Sequence, residues 1–196
     1  MGRPRKENPQ ELAPAKIEEA FFHLLEEEGY TNITVTRLSQ EAGTNRNSFY
    51  YHYQDIEDLA RRAFLHNAEA ADTGTFLTTL LSFRNAGRDI AGTASPHVVE
   101  RAKRIMLYAG SDSAFLTRMV YDLLKKIWLS ELSIREERLS PAEKLQIHFI
   151  FSGLVAALGS KEVRESPRLM ASLAGTDLGA AAIAALKSIA HAQACV

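Results

Sequence analysis

Residues 33–59, "ITVTRLSQEAGTNRNSFYYHYQDIEDL", hold two short helical patterns that meet at a glycine, with a third opening directly after them. Thr34 is placed to cap the first of these. Val35, Leu38 and Ala42 then recur on one face, and Gly43 turns the backbone through the corner. Asn45 is placed to cap the second helix, and Asp55, three residues before Asp58, opens the third with a relative of the capping box. Short helices meeting at such a corner suit a helix-turn-helix. One helix of that motif lies across the DNA backbone while the next enters the major groove.

The second helix is chemically odd. Phe49, Tyr50, Tyr51 and Tyr53 surround a single histidine, His52. A core would use Leu and Ile here, because buried phenols need partners. Arg46, Asn47 and Tyr50 share the leading face, while Phe49 points inward. Arginine pairs bidentately with guanine and asparagine with adenine. The hydroxyls of Tyr50, Tyr51 and Tyr53 are suited to phosphates, contacts that set register without reading sequence. Short amphipathic helices and a tyrosine cluster also serve an all-helical protein–protein interaction or adaptor module, and the spacing alone leaves both readings open. Salt separates them, since phosphate binding weakens steeply with ionic strength.

Outward from this stretch nearly every segment reads helical. Ile17, Ala20, Phe21, Leu24 and Leu25 form a stripe ending at Gly29. Residues 85–96 read as a flexible connection. Downstream, "SAFLTRMVYDLLKKIWLSEL" is a long core helix with the only tryptophan, Trp128, and "SPAEKLQIHFIFSGLVAALG" opens on a Ser140, Pro141, Glu143 start signature. The expected fold is all-α, with a helix-turn-helix domain over residues 1–60 and a helical bundle over 61–196.

Net charge is −1, and the split is −3 over residues 1–62 (8 basic, 11 acidic) and +2 over 63–196 (15 basic, 13 acidic). A bulk acidic balance argues against a nucleic-acid binder, but the local field decides, and Glu26, Glu27 and Glu28 are bunched at one helix end. The single cysteine, Cys195, excludes an internal disulfide and fits a reducing cytoplasm. No apolar run spans a membrane and no apolar segment follows the basic N-terminus, so a cytoplasmic protein without a secretory signal is expected. The histidines lack ligand spacing, so no metal and no cofactor is expected. Without a nucleophile–base pair, a glycine-rich phosphate loop or paired catalytic carboxylates, neither is enzymatic activity.

Residues 16–60 carry a further pattern: Gly29–Tyr30, Thr34–Val35, Ala42–Gly43, Tyr50 and His52, then Glu57 and Leu59. In these ten positions the chain resembles the DNA-binding domain of TetR-family bacterial transcriptional regulators. In that pattern the third helix ends Tyr-x-His-Phe. The resemblance implies helix-two contacts from Thr34, Thr36 and Arg37, and third-helix contacts from Arg46, Asn47, Ser48, Tyr50, Tyr51 and His52. His52 donates to phosphate or stabilises the turn toward helix four. The departures are Ile33 for a usual Thr, Asn47 for a usual Gly, and Ile56 where a phosphate-touching Lys is common. The basic arm "GRPRK" compensates for the lost anchor if Arg3 and Arg5 enter the minor groove.

The same resemblance implies a C-terminal ligand-binding and dimerising bundle, and with it a ligand-responsive regulator, a repressor released from double-stranded operator DNA by a small-molecule effector. Phe83, Met106, Tyr108, Phe115, Met119, Trp128, His148 and Phe151 are the residues proposed to line a pocket, with His148 the foremost and a hydrogen-bonded core histidine its competing reading. The last two long helices are apolar or small on nearly all faces, with Gly153, Ala156, Ala157 and Gly159 in one and Ala180 to Ala182, Ala184 and Ala185 in the other. A helix apolar all round must be buried. A homodimer through these helices presents two recognition helices to a two-half-site operator.

Overall fold

The computed structural model describes residues 9–69, 95–166 and 168–194. Among these the chain is helical and contains no strand. Contacts divide it into two compact units, Met1–His66 and Asn67–Val196. The boundary expected at 60/61 falls in the same helix as this division. Most of the connection read at 85–96 lies outside the described residues.

In the first unit α1 (Pro9–Glu27) leads through a single 3-10 turn (Tyr30–Asn32) to α2 (Val35–Glu41), α3 (Arg46–His52) and α4 (Ile56–Ala68). The stripe on α1 is the core: Ile17, Phe21 and Leu24 are fully buried together with Leu38 of α2, Phe49 of α3 and Leu59 of α4. Helices of seven residues are too short to persist alone, so their ends and their packing must hold them. Thr34 accepts from the Arg37 amide at 3.2 Å, and Asn45 accepts from the Ser48 amide at 2.9 Å. Each such cap contributes about 1 kcal/mol. Asp55 accepts from the Asp58 amide at 2.8 Å, and the Asp58 carboxylate reaches back to the Gln54 amide at 3.1 Å. Gly43 takes a φ of 60°, the left-handed conformation that closes α2.

The second unit comprises α5 (Pro96–Ala109), α6 (Ala114–Glu131), α7 (Pro141–Gly159), α8 (Lys161–Glu165), α9 (Arg168–Ala174) and α10 (Asp177–Ala194). A serine caps each of α5 to α8: Ser95, Ser113, Ser140 and Ser160. At α7 the box is complete, and the Ser140 hydroxyl and amide, both bonded to Glu143, hold that carboxyl below its ordinary range. The helices α5, α6 and α7 pack mutually around Tyr108, Leu116, Leu124, Ile147 and Phe151. Where α5 ends, Gly110 meets Gly159 of α7 backbone to backbone: a Cβ on Gly110 would lie 2.5 Å from the Gly159 carbonyl oxygen. α10 docks on α9 and α7, burying Leu186 and Ile189.

The apolar-all-round character of α7 has a visible consequence. Ile147, Phe151, Val155 and Leu158 turn inward, which leaves Leu145 (69% exposed) and Phe149 (74%) facing out, with Leu178 of α10 (69%) also uncovered.

Candidate nucleic-acid interface

On α3, the cap at Asn45 and the inward anchor Phe49 fix which side chains face out. Arg46 and Asn47 are exposed, and Tyr50 and Tyr51 are 59% and 75% exposed. The exposed rings are braced rather than free: Tyr50 stands edge-on to Phe49 at 5.4 Å, and Tyr51 edge-on to His52 at 4.9 Å. Ser48 and His52 are half-buried, and the Nε2 of His52 is buried with no hydrogen-bond partner. Its ring packs under the tyrosines, so phosphate donation from that nitrogen requires it to turn outward.

The preceding helix supplies support as much as surface. Thr34 is exposed and spends its oxygen on the cap, while Thr36 accepts a hydrogen bond from the Arg46 guanidinium. Arg37 is tied down at the surface: its guanidinium bonds Glu28 at 2.9 and 2.8 Å and Glu41 at 3.0 Å. The bonded Glu28, with Glu41 behind it, raises Arg37 above the ordinary arginine range. A phosphate must therefore compete with two carboxylates for this side chain. Glu28 is thus one of the acids that cancels a local positive charge, which a count along the sequence does not show. Arg3 and Arg5 lie outside the described residues.

One expectation is overturned. Tyr53 does not offer its hydroxyl to phosphate; it is 4% exposed and donates to Glu18 of α1 at 3.3 Å. Tyr53 is the C-cap residue of α3, where the chain turns extended and the ring falls back onto the core beside Phe49, 5.7 Å away. Burial, and the Glu18 carboxylate after it, push the phenol well above its ordinary range.

Residues 17–63 match the family described as bacterial regulatory proteins, tetR family. That segment carries the pattern of the tetR-family DNA-binding domain. No curated protein matches the chain. Among solved structures it is similar to native NalD, the secondary repressor of the MexAB-OprM multidrug efflux pump in Pseudomonas aeruginosa, at 16% identity over 92% of this chain and 96% of that one, with a TM-score of 0.46.

In the second unit the described residues among those proposed to line a pocket are spread over α5, α6 and α7. Met106, Tyr108, Trp128 and Phe151 are buried in the packing of α5, α6 and α7, with Trp128 edge-on to Phe151 at 5.5 Å. Phe115 and Met119 are half-buried on α6, and Phe83 lies outside the described residues. His148 is not a core histidine but an exposed one. One residue past the inward Ile147, it is carried about 100° around the helix. Its Nδ1 lies 3.2 Å from the Tyr121 hydroxyl. The pair lines an open groove of about 370 Å3, with Thr117, Arg118, Ser152 and Ala156 among its walls. Arg118 stacks over the Tyr121 ring at 4.9 Å and bonds Asp122 at 3.1 Å. Among the described residues no cluster could hold a metal ion and no helix is long and apolar enough to cross a membrane.

Proposed function

We propose that this regulator is a repressor that binds a two-half-site operator as a homodimer and is released by a small-molecule inducer. The observation that carries the reading is the outward face of α3, where Arg46, Asn47, Tyr50 and Tyr51 stand together on a helix fixed at one end by Asn45 and from beneath by Phe49. In this reading Arg46 and Asn47 address base edges. Tyr50 and Tyr51 hold phosphates, with Thr34, Thr36, Ser48 and His52 at the margins, and Arg3 and Arg5 follow the minor groove. Arg37 serves mainly to fasten α2 to α1. Leu145, Phe149 and Leu178 supply the apolar faces that a second copy covers, and the groove beside His148 and Tyr121 supports effector binding in the residue 67–196 unit.

The test is selection of duplexes from a random pool by the full chain, followed by titration of the selected duplex across salt concentrations. Contacts to several phosphates predict a fall in affinity of tenfold or more between low and moderate salt. An affinity indifferent to salt, or a failure to enrich any sequence, would remove the DNA-reading role.

A further inference from the structure

The third-helix pattern that this chain resembles ends in phenylalanine, and here the position is Tyr53. The added hydroxyl is not idle. It donates to one carboxylate oxygen of Glu18 on α1 at 3.3 Å, and the other oxygen lies 3.0 Å from the Nδ1 of His66 on α4. The Glu18 side chain is only 15% exposed, so its charge has few water contacts and depends on these two partners. They come from distant points of the chain, 35 and 48 residues away. Tyr53 ends α3, and His66 closes the first unit on the helix that carries the chain out of it. Arg62 lies over the Tyr53 ring at 5.7 Å and bonds Asp58 at 2.9 Å, so the surrounding charges are themselves tied down.

We propose that Glu18 is a positioning residue for DNA reading: by holding the Tyr53 hydroxyl and the His66 ring at once, it fixes the exit of α3 against α1 and α4. A helix of seven residues is positioned by its two ends. Asn45 fixes the entrance through its cap, and no backbone ladder fixes the exit beyond Tyr53, whose backbone is already extended. The carboxylate supplies that second constraint. Base contacts demand side chains placed to a fraction of an ångström, whereas phosphate contacts tolerate small shifts. Loosening the exit of α3 therefore degrades discrimination between sequences more than it degrades binding to DNA in general.

The inference rests on α3 being the helix that meets DNA, and the experiment separates the two claims. Tyr53→Phe keeps the ring and its packing and removes only the hydroxyl, and His66→Ala removes the exposed partner. Each is titrated, in the full chain, against a duplex selected by the wild-type protein and against a scrambled duplex, with Arg46→Ala alongside. The expected result is a three- to tenfold fall in the ratio of selected to scrambled affinity for each single variant. The double variant should lose less than the product of the two, since both act through Glu18. A smaller folded fraction weakens binding to both duplexes by the same factor, so a purely structural role leaves the ratio unchanged. An unchanged ratio for Tyr53→Phe, or equal losses on both duplexes, overturns the proposal. If Arg46→Ala also leaves the ratio unchanged, the placement of α3 on DNA fails instead.

Discussion

Both units leave large hydrophobic side chains in water, and the difference between them is one of chemistry. The first exposes Tyr50 and Tyr51, rings that end in hydroxyls, and braces them edge-on against Phe49 and His52. The second exposes Leu145, Phe149 and Leu178, which can offer nothing but area. A hydroxyl-tipped ring is stable in water and has something to give a polyanion, so the first surface can wait unpartnered. An exposed phenylalanine and two leucines lose free energy for as long as they stay wet, at roughly 25 cal/mol per Å2. Under the proposed function the two surfaces would differ in lifetime of association, transient on DNA and lasting between protein copies.

The most severe way to break this contrast is to charge the apolar face. Leu145→Glu with Phe149→Glu should abolish the dimer and reduce affinity for a two-half-site duplex by about a hundredfold, because the gain from linking two binding modules is lost. Affinity for a single half-site should stay as it was. Sedimentation together with titration of one-site and two-site duplexes reads both, and a persisting dimer would place the seam elsewhere.

Arg46→Ala sharpens the other side of the comparison. It should cost about 1–3 kcal/mol on the selected duplex and relax preference at one position. Equal losses on selected and random DNA would reduce Arg46 to a phosphate contact. Gly159→Ala tests whether the second unit is as tightly fixed as the first, since the new methyl group would meet the Ala109 carbonyl at 2.5 Å. Denaturant unfolding should register a loss of about 1–3 kcal/mol, as overpacking typically costs. Wild-type stability would mean that α5 and α7 separate easily. The smallest effect belongs to Tyr50→Phe. Removing one phosphate-directed hydroxyl should weaken binding about two- to fivefold, evenly across sequences, in a titration of several unrelated duplexes.

The first unit was legible in the sequence because its signals are local. Thr34, Asn45 and Asp55 each cap the helix that follows them, Gly43 supplies the one backbone conformation the corner needs, and Phe49 is the inward residue of its turn. What the sequence concealed there was long-range pairing. Nothing near Tyr53 says that its hydroxyl belongs to Glu18, and nothing near Arg37 beyond Glu41, four residues on, says that Glu28 will hold it. In the second unit the helices and their serine caps were readable, but not which side of an apolar helix turns inward. α7 is apolar on every side, so periodicity does not separate Ile147 from Phe149, and His148 between them reads as core. The described residues proposed to line a pocket come from three helices that pack mutually, and residue type alone does not say which of them face a cavity.

The contact between Gly110 and Gly159 sets how closely the ends of α5 and α7 approach. A methyl group added at either one strikes main chain, which has no rotamer to adopt, so the helices must shift to admit it. The pair therefore acts as a spacer of no thickness: it holds these helix ends at backbone contact, a separation that any side chain at either position would increase.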